Sequence, residues 1–169
     1  MRRVVVTGIG TINSTGHNVK DSFKAVVDGV CGIDTITLFD ASEFSVKIAG
    51  EVKDFDPTTV MDKKEVKKAD RFIQLGIKAA LEAMIDSGYV TQEDKKVDAS
   101  IADRFGMISG SGIGGLSTIE RNSIVCETKG SRKVSPFFIP SSLANMLSGF
   151  ISIEHNLRGP SLSHVTACA

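Results

Sequence analysis

The alternation of apolar and polar residues along the chain predicts several short strands. The clearest candidate is the β-branched run at residues 3–7, closed by Gly8-Ile9-Gly10, which predicts a buried strand followed by a turn. Residues 46–52 and 103–109 are also strand-like. After the break at Gly159-Pro160, residues 161–166 form a last strand that leads into Ala167-Cys168-Ala169.

Helices are expected between these strands. Asn18 can cap a helix over residues 19–28, with Gly29 as its left-handed end, and Asp56-Pro57 opens another. The longest helix is expected over residues 64–87, before Gly88. Its first two turns are charged, whereas its later part is apolar on nearly every face, which predicts burial on several sides.

The remaining pattern adds two more helices, over residues 116–128 and 141–155. Between them, the two prolines of residues 135–140 predict extended backbone, because proline disfavours helical geometry in the residue before it. Since strands and helices alternate, the sequence indicates an α/β fold with a mostly parallel sheet.

Composition narrows the function classes. The chain has 169 residues, which suits one domain, and equal numbers of basic and acidic residues, 20 each, so no overall charge attracts nucleic acid or lipid. Only 6% of residues are aromatic and none is Trp, which argues against a base-stacking platform. No apolar stretch suits a membrane span, and the N-terminal apolar run is too short for a signal peptide. We therefore expect a cytoplasmic protein.

The glycine-rich segment Gly110-Ser111-Gly112-Ile113-Gly114-Gly115 has three interpretations. It fits the dinucleotide-binding pattern G-x-G-x-x-G, but it lies mid-chain and lacks the acidic residue expected about 20 positions later. It can instead be a tight turn with close backbone packing. In the third interpretation its backbone lines a channel for an extended apolar ligand, with Ile113 as the side chain that gates it.

Basic residues are concentrated in two places. Lys63, Lys64, Lys67 and Lys68 share one helix face through their i, i+3 and i, i+4 spacing, and Arg132-Lys133 is a smaller group. Such a run is usually a solvated face. On a chain with no net charge, it also suits docking of a small acidic partner.

The three cysteines, Cys31, Cys126 and Cys168, form neither a disulfide framework nor a zinc pattern, so we expect no metal. Cys168 follows a predicted strand, where it is either a small core residue or a nucleophile at a strand-to-helix turn. The histidines, His17, His155 and His164, have no evident ligand set and are expected to cap or pack.

Six segments, in this order, resemble the β-ketoacyl-[acyl-carrier-protein] synthase II family of bacterial fatty acid synthesis. They lie at residues 3–10, 68–74, 110–115, 135–140, 157–161 and 165–169, and they extend over the whole chain. The resemblance implies the N-terminal half of a thiolase-like fold, in which each half is a mixed five-stranded sheet with helices and the complete enzyme is layered α/β/α/β/α. Residues 1–169 would be one such half-domain.

The resemblance also implies roles for individual residues. Cys168 would accept the acyl group, and its own backbone N–H would be one oxyanion donor. Ile113 would gate the acyl channel, and Phe138 would lie in a dimer-facing segment that lines the partner subunit's channel. The strand at residues 161–166 would pair across a homodimer axis. Docking of the acidic acyl carrier protein would involve Lys64, Lys67, Lys68, Arg132 and Lys133.

The reaction implied by this family is a decarboxylative Claisen condensation that lengthens an acyl chain by two carbons. It needs no metal or redox cofactor, since the phosphopantetheine arm belongs to the carrier. Family members are more than twice as long, and their active-site histidines lie in the C-terminal half, so we expect this chain alone to be inactive. The alternatives are a non-catalytic carrier-binding or dimerising remnant, a related initiating or polyketide synthase, and a dinucleotide-binding domain.

Overall fold

The computed structural model describes residues 2–168. Within them the α-helices, in chain order, are α1 (Val19–Val27), α2 (Lys63–Val66), α3 (Arg71–Asp86), α4 (Leu116–Lys129), α5 (Phe138–Ser142) and α6 (Met146–His155). The strands are β1 (Asp34–Thr35), β2 (Ile48–Ala49), β3 (Met107–Gly110) and β4 (Ser161–His164). Short 3₁₀ turns lie at Pro57–Thr59, Ala102–Arg104 and Ser131–Lys133.

The predicted start of α1 is confirmed. The Asn18 side chain accepts a hydrogen bond from the backbone N–H of Asp21 at 2.8 Å, and Gly29 follows the helix with a φ of 71°. The predicted helix at Asp56-Pro57 is a single 3₁₀ turn, again with the aspartate as its cap. The helix predicted at residues 116–128 is α4.

The single long helix predicted over residues 64–87 is wrong. The chain forms α2 and α3 instead, separated by Asp70, whose backbone is extended with a ψ of 163°. The Asp70 side chain accepts a hydrogen bond from the N–H of Phe72 and so begins a new helix. At the far end Gly88 has a φ of 78° and stops α3 as predicted.

The extended backbone predicted for residues 135–140 is wrong from Pro136 onward, because residues 136–137 form a turn and α5 begins at Phe138. Pro140 is tolerated there because it lies in the first turn, where a backbone N–H would have no acceptor within the helix. The helix predicted at residues 141–155 is likewise interrupted. Leu143 has extended backbone with a ψ of 131°, and α6 starts only at Met146.

Two small sheets are present in the described residues. β3 and β4 pair in parallel, from Met107 opposite Ser161 to Gly110 opposite His164, and β1 pairs with β2 in antiparallel fashion. The α/β class is confirmed, although these two strand pairs are smaller than a five-stranded sheet. Of the predicted strand at residues 46–52, only β2 forms, and residues 103–109 begin with a 3₁₀ turn before β3.

The strand predicted at residues 3–7 is wrong. Its side chains are exposed, with Val4 97% accessible, and no strand lies there. A β-branched run favours a strand, but a strand also needs a partner for its backbone groups, and residues 2–168 supply none at this position. The next residues are held by α3 instead. The N–H of Ile9 donates to Asp86 at 2.9 Å, and that of Thr11 donates to Glu82 at 3.0 Å.

The hydrophobic core surrounds α3. Its buried stripe consists of Ile73, Ile77 and Leu81, spaced four residues apart, and the other apolar faces are half-buried. Ile151 of α6 and Val97, which lies between α3 and β3 in the chain, complete the centre of this core. None of the helices in residues 2–168 is both long enough and apolar enough to cross a membrane. α6 packs on α3 and also contacts β3 and β4, so it connects this strand pair to the core.

Candidate functional site

Cys168 lies in a turn four residues after the end of β4, and its side chain is exposed. The residue before it, Ala167, has a φ of 45°, which non-glycine residues adopt rarely and at some cost. The backbone N–H of Cys168 donates to no acceptor within residues 2–168. Within the residues that the structure describes, the exposed thiol excludes the interpretation of Cys168 as a core residue.

The glycine loop, residues 110–115, lies against this turn because β3 and β4 are parallel neighbours and both loops leave from the same end. The N–H of Ser111 donates to the carbonyl of His164 at 3.2 Å. A Cβ added to Gly112 would lie 3.9 Å from the Cα of Ala167. The two segments that the sequence singles out for chemistry are therefore adjacent.

The second half of the glycine loop packs tightly on α5. Gly114 has a φ of 87°, and a Cβ there would lie 2.4 Å from the carbonyl oxygen of Ser142. A Cβ on Gly115 would lie 2.6 Å from the carbonyl oxygen of Ser141. These separations leave no room for a side chain at either position, so the interpretation as a tight turn with close backbone packing is confirmed.

The same geometry argues against a phosphate cradle. The N–H of Gly114 donates to the Ser111 hydroxyl at 3.0 Å, and that of Gly115 donates to the Ser142 carbonyl at 2.9 Å. Phosphate binding by a glycine-rich loop requires free N–H groups that point at the ligand. Here both groups are already used inside the chain.

The two residues assigned to an acyl channel belong to different elements, Ile113 to the glycine loop and Phe138 to α5. Ile113 is 61% exposed at the tip of the loop. Phe138 is the first residue of α5 and is half-buried. The glycine loop that carries Ile113 lies against the turn that carries Cys168. The roles of Ile113 and Phe138 in a channel stay predictions.

The basic face, defined as Lys64, Lys67, Lys68, Arg132 and Lys133, comes from two separate turns. Lys64 and Lys67 are exposed at α2, and Arg132 and Lys133 are exposed in the 3₁₀ turn after α4. Lys68 is half-buried, and its Nζ lies 5.7 Å from the ring centre of Phe137, four residues after Lys133. This contact links the turn of Lys68 to the segment that follows Arg132 and Lys133 in the chain.

Asp70 is a structural residue of the site that the sequence reasoning missed. It is 7% exposed, and besides capping α3 it accepts hydrogen bonds from Thr118 of α4, at 2.9 Å from the N–H and 2.6 Å from the hydroxyl. Its Cβ also lies beside Gly115. An aspartate directly before an apolar helical pattern is a start signal, and it was available in the sequence.

His17 and His155 each contact a backbone carbonyl. The Nε2 of His17 is 2.8 Å from the Lys53 carbonyl oxygen, and the Nδ1 of His155, which is fully buried, is 2.7 Å from that of Lys95. These contacts agree with packing roles. Within residues 2–168, no group of three His, Cys, Asp or Glu side chains is arranged to hold a metal ion.

Close relatives of the chain are 3-oxoacyl-[acyl-carrier-protein] synthases. It is 46% identical over 167 residues to 3-oxoacyl-[acyl-carrier-protein] synthase 2 of Coxiella burnetii (strain RSA 493 / Nine Mile phase I) and 48% identical over 167 residues to that of Vibrio harveyi. Each match covers 99% of this chain but 39% of the relative. The chain thus spans about 39% of the length of the curated relatives it matches.

Solved ketosynthases share the fold. The ishigamide ketosynthase/chain length factor superposes with a TM-score of 0.80 at 30% identity, over 99% of this chain and 41% of that one. A type II polyketide ketosynthase, solved with its acyl-carrier protein and a hexaketide, gives 0.75 at 26% identity, over 97% and 42%. These likenesses show a thiolase-like fold. The family described as Beta-ketoacyl synthase, N-terminal domain, matches residues 1–169, and the chain belongs to that family.

Proposed function

We propose that this chain is the N-terminal part of a 3-oxoacyl-[acyl-carrier-protein] synthase and that Cys168 is its acyl-accepting nucleophile. One observation carries the proposal: the exposed thiol of Cys168 lies in a turn next to the glycine loop. The curated relatives that match this chain carry the same activity in their names. Covalent catalysis by a thiol needs such an accessible sulfur.

The proposed reaction begins with transfer of an acyl group to Cys168. The Cys168 thiol loses its proton, and the thiolate attacks the thioester carbonyl of the acyl carrier. An S–C bond to Cys168 forms, the C–S bond to the carrier breaks, and the carrier leaves as a thiol that takes up the released proton. The charge that develops on the carbonyl oxygen requires positioned donors. The N–H of Cys168, which has no acceptor within the described residues, is available as one of them.

Condensation follows on the acylated cysteine. A malonyl group on a second carrier loses CO₂, and the electron pair of the broken C–C bond attacks the Cys168 thioester. The intermediate collapses, Cys168 leaves as thiolate, and the product is a 3-oxoacyl carrier two carbons longer. In this scheme the chain supplies the nucleophile and one donor, and the phosphopantetheine arm comes with the carrier, so no metal or redox cofactor takes part.

The acyl chain is proposed to run past Ile113 and Phe138. An exposed isoleucine beside the nucleophile is a suitable gate for an apolar ligand, because it can turn without disturbing the packed half of the loop. We propose that Phe138 lines the channel of a partner subunit. That assignment requires a homodimer, for which β4 is the proposed contact strand, since within residues 2–168 it pairs with a strand on one side alone.

An acidic acyl carrier protein is the proposed partner of the basic face. The exposed ammonium and guanidinium groups of Lys64, Lys67, Arg132 and Lys133 supply positive charge that an acidic protein surface can pair with. One of the solved relatives is described as a ketosynthase in complex with an acyl-carrier protein. We place the protein in the cytoplasm, where its three exposed cysteines would stay reduced.

Acyl transfer to Cys168 is the test of this proposal. The natural protein that carries this sequence is incubated with octanoyl carrier protein, and its mass and cysteine-containing peptides are measured. We expect one octanoyl group on Cys168, lost in Cys168→Ala and retained in the control Cys126→Ala, which removes another exposed cysteine. Carrier binding without any adduct would favour the alternative, a non-catalytic carrier-binding or dimerising remnant. An adduct on Cys31 or Cys126 would show that the nucleophile is wrong.

A further inference from the structure

The five cations of the basic face differ in what their side chains already contact. Lys64, Lys67, Arg132 and Lys133 are exposed. Lys68 is different, because its side chain is 35% exposed and its Nζ lies 2.6 Å from a carboxylate oxygen of Glu65. The same ammonium also lies over the ring of Phe137. An acidic partner would have to compete with Glu65 for Lys68, whereas the other four are available.

The backbone of Lys68 is joined to the same neighbouring helix. The hydroxyl of Ser141, a residue 6% exposed, donates to the Lys68 carbonyl at 2.6 Å. Phe137 is the N-cap residue of α5 and Ser141 lies in its last turn. Lys68 therefore contacts α5 at both ends. Its side chain contacts Phe137 at the start of the helix, and its carbonyl accepts the bond from Ser141 in the last turn.

The placement of α5 depends on such contacts. A helix of five residues is too short to be stable by itself, so its neighbours determine its position. On its other side, the Ser142 carbonyl accepts the N–H of Gly115. Phe138 is its first residue. A shift of α5 would therefore move both the proposed channel residue and the support of the loop beside Cys168.

We propose that Lys68 is a positioning residue for the acyl channel, acting through its contact with Phe137, and is distinct from the docking cations around it. This inference rests on the proposed function. It predicts that Lys68 affects acylation of Cys168 even when no carrier protein is present. A residue that only docks the carrier has no such effect.

The test measures the maximal rate of Cys168 acylation by a carrier-free substrate, the octanoyl thioester of N-acetylcysteamine, in the natural protein. We expect Lys68→Gln and Phe137→Leu each to slow this rate about two- to five-fold, the range of a partly exposed cation over an aromatic ring. The double variant is expected to be no slower than either single one. Lys68→Arg should restore the rate, because a guanidinium can also pair with Glu65 and lie on the ring. Lys24→Gln, which breaks an ion pair with Asp28 on α1, is the matched control and should leave the rate unchanged.

Three results would overturn the inference. The first is an unchanged carrier-free rate in Lys68→Gln together with a higher KM for the acyl carrier protein, because Lys68 would then be an ordinary docking residue. The second is additive slowing in the double variant, and the third is slowing in Lys68→Arg as large as in Lys68→Gln. If Lys68→Gln does not fold, Phe137→Leu and Lys68→Arg decide the question by the same criteria. Absence of any adduct in the unmodified protein would instead refute the proposed function, and the inference with it.

Discussion

Replacing Asp70 by Ala should destabilise the protein more than replacing any exposed helix cap. Asp70 is buried and caps α3 with a bond to the N–H of Phe72 at 3.3 Å. The loss of a cap costs about 1 kcal/mol. Asp70 also accepts two hydrogen bonds from Thr118. A hydrogen bond to a charged group contributes about 1.5–3 kcal/mol to stability. Because these terms are not fully additive, we expect a total loss of about 3–4 kcal/mol.

The natural protein is unfolded in urea at neutral pH, and the change in free energy is taken from the midpoint at a constant m-value. Asp70→Asn keeps one carbonyl acceptor and is expected to lose about half as much. The matched control is Asp62→Ala, which removes the cap of α2, an exposed aspartate with a single weak bond to Lys64 at 3.4 Å. It should cost about 0.5 kcal/mol. Equal losses in Asp70→Ala and Asp62→Ala would refute the assignment of Asp70 as the carboxylate that joins α3 to α4.

Three other predictions concern different parts of the chain. Gly10→Ala should destabilise by more than about 3 kcal/mol in the same urea assay, because its Cβ would lie 2.0 Å from the backbone oxygen of Ala79, whereas Gly29→Asn, with open space and a left-handed φ, should be nearly neutral. The pKa of Glu51 lies below its ordinary value of 4.5, chiefly because the Thr37 hydroxyl donates to it, against the opposing effect of burial. Its contribution to stability is therefore complete above pH 4.5 and falls as the pH drops through the lowered pKa; Glu51→Gln should flatten this part of the stability curve, and an unchanged acid limb would contradict it. Replacing Lys64 and Lys67 together by Glu should weaken binding of the acyl carrier protein at least ten-fold at low salt and less at high salt, and affinity that does not respond to the substitution would remove these residues from the docking surface.

Local signals in the sequence predict the helix ends best. Asn18, Asp56 and Gly88 each lie where a cap or a left-handed stop is needed, and the structure confirms all three. These signals succeed because a cap acts within one turn of backbone. The break between α2 and α3 was missed because no Gly or Pro separates the charged residues 64–71 from the apolar residues that follow, and Asp70 was not read as a helix cap.

Strands are predicted less well, because a strand is completed by residues far away in the sequence. Residues 3–7 have strong β-forming composition, yet no strand pairs with them within residues 2–168. The parallel pair β3 and β4 does form, over four residues each. The alternation of strands and helices predicted a mostly parallel sheet, and this pair is parallel, but it did not predict which strands are neighbours.

The neighbourhood of Cys168 could not be assembled from residue types alone. The sequence singled out the glycine loop and the cysteine turn separately, and the parallel register that aligns Gly110 with His164 brings them together. The glycines are needed there for different reasons. Gly114 and Gly115 let the loop reach the backbone of α5, whereas Gly112 faces Ala167 across an ordinary contact distance. A side chain at Gly114 or Gly115 would therefore separate the loop from α5, and one at Gly112 would instead change what approaches the thiol. The loop therefore has a packed half, at Gly114 and Gly115, and an open half, at Gly112, and a single glycine motif in the sequence does not distinguish the two.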